Sequence, residues 1–191
     1  MKKIMLTLAL VAAAAISASA QMSAGLGYMT KNYSDGKNSD YNVGGLYLAA
    51  DYAVYEITDG VLITPGIAAS ILSGKENGGK FNEFNIGIPI NVSYSFEVAD
   101  GFKLVPYLGP TITLGISSKE EVGGVSINLY DNDLGIKEKR LDLSIGGGIA
   151  LDVMDMIRVS FGYNKGLLNR VEDADPAVKT SGVHFGVAYL F

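Results

Sequence analysis

A two-residue hydrophobic period recurs along this chain and limits what it can fold into. In its clearest stretch, from Leu141 to Asp152, almost every second residue is apolar and the residues between are small or polar. The same alternation runs through residues 86–96 and 104–116. Successive side chains of a β-strand point to opposite faces, so this period indicates strands with one apolar face. No helical period competes with it, and the sequence predicts an all-β protein.

The alternation divides the chain into eight predicted strands. They cover residues 22–30, 42–55, 61–72, 82–97, 102–117, 139–152, 156–165 and 179–191. An even number of antiparallel strands lets the first pair with the last, so we expect a closed up-and-down β-barrel. Pro65, Pro89, Pro106 and Pro110 fall inside these strands, and each removes a ladder hydrogen bond. We expect a β-bulge at each proline.

Short and long connections alternate strictly along the predicted barrel. Tight turns occur near residues 58–60, 99–101 and 153–155. The other connections are long and polar: residues 31–41, 73–81, 118–138 and 166–178. The short turns therefore lie at one end and the long loops at the other, which is typical of periplasmic turns and extracellular loops.

The second face of the strands indicates which side meets lipid. Glycine, serine, threonine and asparagine dominate it, and the chain holds 24 glycines. An eight-stranded barrel has an interior only wide enough for side chains to fill, so small residues fit inside and the apolar face points outward. A soluble β-sandwich is the alternative, and the scarcity of charged residues on either strand face disfavours it.

The N-terminus is typical of a secretory signal peptide. Lys2 and Lys3 precede an apolar run at residues 4–16, and small residues follow up to Ala20. The run is shorter than the roughly 20 residues that span a bilayer as a helix. We therefore expect a signal peptide at residues 1–20 and a barrel domain at residues 21–191.

Charge and cysteine content exclude several classes of protein. The chain has 15 Lys and Arg against 20 Asp and Glu, with no basic run, which argues against a nucleic-acid partner. It has no cysteine, so neither a disulfide nor a lipidated N-terminal cysteine is expected.

The C-terminal tail adds a resemblance to a known family. Apolar residues occupy every second position up to a final aromatic residue: Val183, Phe185, Val187, Tyr189 and Phe191. This tail resembles the C-terminal signature of bacterial outer-membrane barrels, and with the other patterns the chain resembles the OmpA-like eight-stranded barrels. The resemblance implies a bacterial outer-membrane location, contact with outer-membrane lipid and lipopolysaccharide, and recognition of Phe191 by the barrel-assembly machinery.

Polar residues on the inward face are the candidate site. Asp152 and Arg158 flank the turn between predicted strands 6 and 7, and an odd turn would make them diagonal cross-strand neighbours. We expect a structural ion pair between them, with Asp51, Asp142 and His184 as further lumen polar residues. A charged plug of this kind favours a closed barrel, and a narrow porin-like channel is the alternative.

The sequence predicts no catalytic, cofactor or metal site. His184 is the only histidine, and some barrels that resemble this one modify lipid A with a His and a Ser. Its inward, mid-membrane position favours a hydrogen-bonded lumen residue instead. The glycines at 146–148 continue as a strand rather than opening a helix, and the segment from Asp131 departs from a calcium loop.

Function is then expected in the loops. Residues 118–138 mix Glu120 and Glu121 with Val125, Ile127 and Tyr130, and this loop could extend a hairpin and offer an edge to an extracellular partner. A membrane-structural or surface-interaction protein is the first hypothesis. A narrow channel and an outer-leaflet lipid-modifying enzyme stay open.

Overall fold

The computed structural model describes residues 22–36, 40–53, 55–58, 60–76, 79–131 and 137–191. The predicted signal peptide at residues 1–20 lies outside them. The described strands are β1 (Met22–Ser34), β2 (Asp40–Tyr52), β3 (Tyr55–Thr58), β4 (Val61–Glu76), β5 (Gly79–Tyr94), β6 (Phe96–Ala99), β7 (Phe102–Val122), β8 (Val125–Asn128), β9 (Leu141–Val153), β10 (Ile157–Gly166) and β11 (Lys179–Leu190). Within these ranges no helix is long and apolar enough to cross a membrane.

Eight of these strands close into an antiparallel barrel. The order around it is β1, β2, β4, β5, β7, β9, β10 and β11. β11 returns to β1, with pairs running from Ser23 opposite Leu190 to Ser34 opposite Lys179. The predicted eight-stranded up-and-down barrel is confirmed.

The three short strands extend the barrel wall. β3 follows β2 after a break and pairs with β4, and β6 follows β5 in the same way and pairs with β7. β8 folds back on the end of β7 as a hairpin. Two predicted strands, 42–55 and 82–97, are therefore each divided in two. β1 and β7 also run further than predicted, because backbone pairing continues where apolar alternation has ended.

The strand prolines lie in continuous register, so the predicted bulges are wrong. Register is unbroken through Pro65, Pro89, Pro106 and Pro110. Pro65 lies opposite the break between β2 and β3, and Pro106 lies opposite the break between β5 and β6. A residue without an N–H is tolerated at such a break because the ladder is already interrupted there.

Pro89 and Pro110 are accommodated differently. Each stays paired on one side, Pro89 with Thr111 and Pro110 with Ile145, while the ladder on its other side skips two residue pairs. The missing N–H thus interrupts backbone pairing with one neighbouring strand at this point, but the register of the two strands does not change. The register shifts lie elsewhere, between Phe84 and Asn85 and within the short β3 and β6 pairings.

Tight turns join the strands at one end of the barrel. Gly60 and Gly101 have φ of +77° and +74°, a backbone region that favours glycine. The third turn comprises residues 154–156, one residue later than predicted, because Val153 pairs with Ile157. The other connections lie at the opposite end, as the sequence predicted, but the predicted long connection at residues 73–81 is wrong. β4 continues to Glu76 and β5 begins at Gly79, because the two strands stay paired that far.

An apolar belt covers the outside of the barrel. Its members are large side chains that are roughly half exposed or more: Leu26, Leu46, Leu108, Ile149, Phe161, Phe185 and Val187. Such a continuous apolar surface is unfavourable in water and is suited to the hydrocarbon of a membrane. The sequence therefore assigned the two strand faces correctly.

A matched pair of arginine substitutions tests this lipid face. Ile149 lies in the middle of β9, and Ile157 is the first residue of β10 beside the turns. We expect Ile149→Arg to cost about 2 to 4 kcal/mol and Ile157→Arg about 0 to 1 kcal/mol, because a charge costs most at the bilayer midplane. Equilibrium unfolding in lipid vesicles measures both. Equal costs would contradict the depth assignment.

Candidate functional site

A bidentate ion pair crosses the turn end of the lumen. Arg158 Nε donates to Asp152 Oδ1 at 2.6 Å, and Arg158 Nη2 donates to Asp152 Oδ2 at 2.7 Å. Asp152 is 5% exposed. The two residues are direct cross-strand partners on β9 and β10, not the diagonal neighbours that the sequence suggested, because the three-residue turn begins at Met154 rather than at Val153.

Further polar side chains complete this end. Ser23 Oγ donates to Asp51 Oδ2 at 3.2 Å, and Asp51 and Arg158 line the same narrow space. We call Ser23, Asp51, Asp152 and Arg158 the lower network. Lys103 lies opposite Asp152 on the neighbouring β7, at the rim of this end, and pairs with the exposed Asp155 in the turn.

His184 lies between the two ends with both ring nitrogens in contact with polar side chains. Its Nε2 is 2.8 Å from the Tyr107 hydroxyl, and its Nδ1 is 3.4 Å from Asn164 Nδ2. Tyr107 in turn donates to the Phe161 carbonyl oxygen at 3.4 Å. An imidazole protonated at Nε2 satisfies this series, because Asn164 then donates to Nδ1 and Nε2 donates to Tyr107.

Glycines make the room that these rings occupy. A Cβ at Gly162 would lie 2.5 Å from the His184 ring and from the Tyr107 hydroxyl. A Cβ at Gly27 would meet the Tyr47 ring at 2.6 Å. Tyr47 also packs edge-on against His184, with ring centroids 6.2 Å apart. The glycines of the inner face therefore leave the space that the rings of Tyr47, Tyr107 and His184 need inside the narrow lumen.

A second ionic group, which the sequence reasoning missed, lies at the loop end. Lys31 Nζ is 2.7 Å from Glu83 Oε2, and the Tyr33 hydroxyl donates to Glu83 Oε1 at 2.7 Å. Asn85 Nδ2 donates to Glu83 Oε2 at 3.3 Å. We call Lys31, Tyr33, Glu83 and Asn85 the upper network. The sequence did contain an indication of this network, because its four residues occupy the inward-facing alternate positions of β1 and β5.

Two loop segments cover the upper network. Glu138 forms an isolated β-bridge with Val171. Two backbone hydrogen bonds flank this bridge: the Lys139 N–H donates to the Arg170 carbonyl oxygen, and the Glu172 N–H donates to the Lys137 carbonyl oxygen. We call residues 137–140 and 169–172 the loop bridge. Nothing in the sequence indicated it, because its two segments come from different loops.

The loop bridge buries two charged side chains in the barrel mouth. Glu138 is 5% exposed and accepts a hydrogen bond from the Tyr41 hydroxyl at 3.2 Å. Arg170 is 1% exposed, with Nε 4.0 Å from Asp142 Oδ2. Asp142, predicted to face the lumen, also accepts a hydrogen bond from Thr180 Oγ1 at 2.9 Å.

A cavity of about 240 Å³ separates the lower network from the upper one. Most of the polar groups along its middle are neutral. They belong to Tyr47, Thr64, Ser70, Asn91, Tyr107, Thr111, Thr113, Ser144, Ser160, Asn164 and His184. The lumen therefore has ionic groups at both ends and a polar, uncharged chamber between them.

A hairpin at the loop end presents an apolar face. Gly123 and Gly124 form its turn, and Val122, Val125 and Ile127 are 45%, 63% and 38% exposed. These three share the side of the sheet that carries Phe81, which packs into the barrel mouth. The opposite side is polar. We call residues 118–128 the loop hairpin.

The described residues offer no metal site. Within them, no three His, Cys, Asp or Glu side chains are grouped so that they could hold an ion. Asp131 contacts Asn128 and Arg140, and residues 132–136 of the calcium-like segment lie outside the described ranges. Gly146 to Gly148 lie within β9.

Comparisons with known proteins agree with this architecture. A family model described as "Outer membrane protein beta-barrel domain" matches residues 4–191. A comparison with curated proteins finds no match. Among solved structures, Neisserial surface protein A is similar, with a TM-score of 0.61 and 16% identity, covering 89% of this chain and 97% of that chain.

Two further structures extend the comparison. Ail, the attachment invasion locus protein of Yersinia pestis, has a TM-score of 0.53 and 16% identity, covering 91% of this chain and 100% of that chain. At such identities the likeness shows the fold alone. The outer membrane enzyme PagL has a TM-score of 0.48 and 13% identity, covering 87% of this chain and 97% of that chain, and this weaker likeness carries no argument about activity.

A matched pair of alanine substitutions tests the fit of the lumen rings. We expect Gly162→Ala to cost about 1 to 3 kcal/mol, because its methyl group would force His184 and Tyr107 apart. Gly87→Ala is the control, since a Cβ there meets its nearest atom at 3.5 Å. We expect that change to be nearly neutral or stabilising by about 0.4 to 1 kcal/mol. Unfolding by urea in detergent measures both, and a neutral Gly162→Ala would contradict this packing.

Proposed function

Because this chain belongs to the outer membrane protein beta-barrel domain family, we propose that it is a structural and surface-interaction protein with a closed lumen. It lies in the bacterial outer membrane and crosses it as an eight-stranded barrel. The finer proposal is that it acts without enzymatic chemistry or a cofactor, and that its loop end makes the contacts with partners.

The ionic groups at both ends of the lumen carry this proposal. Asp152 and Arg158 are held in bidentate geometry at the turn end, and Lys31 and Glu83 are paired at the loop end. An ion crossing the barrel would have to separate two pairs in series. Separating a buried pair exposes an uncompensated charge, which is costly. A closed lumen leaves the loops and the outer surface as the places where function can lie.

A narrow channel is the second candidate, and the cavity favours it. A polar space of about 240 Å³ already exists between the two networks, so a conducting path would need rearrangement only at the two ends. Conductance separates the two candidates directly.

Lipid modification is disfavoured by the surroundings of His184. Both ring nitrogens are in contact with Tyr107 and Asn164, and the ring faces inward, away from the outer leaflet. A general base must reach the proton that it removes, and an inward ring in mid-barrel does not meet a lipid ester.

The loop hairpin is the surface that we assign to partners. Its strand β8 has no charged residue and no proline, so it lacks the usual protection of an exposed edge. Its apolar face is exposed above the mouth. Among the structural relatives, Ail is named for attachment and invasion, and we extend an attachment role to this chain.

Export and assembly form the last part of the proposal. Residues 1–20 would direct secretion and be removed. Phe191 is 66% exposed, and its backbone N–H donates to the Met22 carbonyl oxygen across the closing seam. We propose that the barrel-assembly machinery recognises Phe191. The outward apolar belt would contact outer-membrane lipid and lipopolysaccharide.

Conductance and a double-mutant cycle test the closed lumen. We expect the refolded barrel to give no steady current in a planar bilayer. Asp152→Asn should cost about 2 to 3 kcal/mol, somewhat below a dry buried pair, because Asp51 remains near Arg158. Adding Arg158→Gln should recover part of that loss. The exposed Lys103–Asp155 pair is the matched control, with a coupling of about 0 to 1 kcal/mol.

Two outcomes would contradict this proposal. A steady current from the wild-type barrel would favour the channel. Additive losses for Asp152→Asn and Arg158→Gln would mean that the two side chains do not act as a unit.

Substitutions in the loop hairpin test the attachment role. Val125→Ser with Ile127→Ser removes two of the three exposed apolar side chains of this face without touching the membrane-spanning wall, so the barrel should still fold. We expect cells that display this variant to lose attachment to protein-coated surfaces that retain wild-type cells. Ser126→Ala, on the opposite side of the same strand, is the control. Equal attachment by variant and wild type would contradict a role for this face.

A further inference from the structure

The barrel mouth contains an unbalanced set of buried charges. Lys31 and Arg170 supply two positive charges there. Three carboxyl groups, those of Glu83, Glu138 and Asp142, face them, and every one of the three residues is 3–6% exposed. If all three were ionised, the cluster would hold one uncompensated negative charge away from water. Such a charge is expensive to bury, so one carboxyl group is expected to be neutral.

Geometry identifies Glu138 as the neutral one. Glu83 is paired with Lys31, and Asp142 accepts from Thr180 and faces Arg170. Glu138 Oε2 is buried without a hydrogen-bond partner among the described residues, and Oε1 accepts from the Tyr41 hydroxyl. Asp142 Oδ1 also lacks a partner there, but Asp142 Oδ2 lies 4.0 Å from Arg170 Nε, whereas Glu138 forms no ion pair within the described part of the chain. An orphaned carboxylate oxygen carries the full cost of desolvation. A protonated carboxyl group is neutral, so its desolvation cost is smaller.

The surroundings act in the same direction. Burial raises the pKa of the Glu138 carboxyl, and the nearby Glu83 carboxylate raises it further. Arg170 and Lys31 oppose this shift only in part.

We propose that the loop bridge is a proton-dependent lid, closed over the barrel mouth while Glu138 is protonated and released when Glu138 ionises. The lid goes beyond the proposed function and rests on its closed lumen. Opening would admit solvent to the 240 Å³ chamber from the extracellular side. Two backbone hydrogen bonds join the two lid segments, and others hold them to neighbouring residues, such as Glu138 N–H to the Leu129 carbonyl oxygen and Arg170 N–H to that of Val178. These backbone bonds are the same in either charge state of Glu138, so the buried side chains supply the pH dependence of the lid.

The groups that face Glu138 come from several elements. They are Lys31 and Tyr33 on β1, Tyr41 on β2, Glu83 on β5, Ser118 on β7, Tyr130 after the hairpin and Arg170 on the lid itself. Glu83 is already paired with Lys31, and tyrosine and arginine side chains ordinarily titrate well above pH 8. Glu138 is therefore the group whose titration changes the cluster.

The direction of the pH dependence follows from linkage. A carboxyl group whose pKa is higher in the closed state binds its proton more tightly there than in the open state. The closed state is then favoured below the ordinary glutamate pKa, and that advantage is lost as pH rises through the raised pKa. The lid should be shut in acid and open at higher pH.

Cysteine accessibility measures the state of the lid. The natural chain has no cysteine, so a single Ser70→Cys change places a unique thiol in the chamber. Ser126→Cys places one on the exposed hairpin. The folded barrel in detergent is treated with a water-soluble thiol reagent between pH 5 and 8. The ratio of the two labelling rates removes most of the pH dependence of the thiol. We expect the ratio to rise about tenfold for each unit by which the Glu138 pKa is raised.

Three variants identify the group responsible. Glu138→Gln, a neutral mimic of the protonated side chain, should give a low ratio at every pH. Glu121→Gln is the control, an exposed acidic residue on the loop hairpin outside the lid, and should behave as wild type. Tyr41→Phe removes a donor to the ionised carboxylate, which should move the opening midpoint to higher pH.

Each remaining outcome overturns a distinct statement. A low ratio at all pH in the wild type would refute the lid while leaving the closed lumen intact. A high ratio at all pH would refute the closed lumen itself. An unchanged pH profile in Glu138→Gln would remove Glu138 from the mechanism. If Glu138→Gln does not fold, Tyr41→Phe provides the test instead. An opening midpoint at the same pH as in the wild type would then exclude Glu138 from the mechanism.

Discussion

Closure of the backbone ladder is the constraint on which the rest of this structure depends. In hydrocarbon every N–H and C=O group must find a partner within the protein, and a sheet achieves this only without free edges. The pairing of β1 with β11 removes the last two edges. The tolerance of four prolines follows the same rule. Pro65 and Pro106 lie where a neighbouring strand is already broken, so they add little further loss of pairing.

The number of strands, eight, determines the diameter of the lumen, and that diameter limits which side chains fit inside it. Tyr47, Tyr107 and His184 fit along the middle of the lumen only because Gly27 and Gly162 have no side chain beside them. Charged groups cannot be spread along so narrow a space without partners. They are therefore gathered in the lower and upper networks, where each carboxylate finds a cation or a hydroxyl group. A closed lumen with function at the loop end is the consequence that we propose.

Local patterns in the sequence were sufficient for the barrel and for one part of its site. The two-residue period set the strands and their faces, because side-chain alternation depends only on neighbouring residues. Asp152 and Arg158 are six residues apart across one turn, so the local alternation of side chains also predicts that both point into the lumen. The diagonal register was wrong, since it depends on where the turn begins, and the turn begins one residue later than predicted. The bulges at the prolines were wrong because the breaks in neighbouring strands cannot be read from the proline positions.

The loop end was decided by tertiary structure alone. Lys31 and Glu83 meet from strands that are not neighbours in the barrel, and Glu138 and Arg170 meet through a bridge between two loops. Neither loop carries a hydrophobic period, so neither reveals which side chain turns inward. That choice depends on the distance across the closed barrel and on the charges already buried there. The sequence by itself determined an eight-stranded outer-membrane barrel with small residues inside, because alternation and turn spacing are local. Only the folded barrel decided which charges meet at its mouth, because those contacts exist only after the ring has closed.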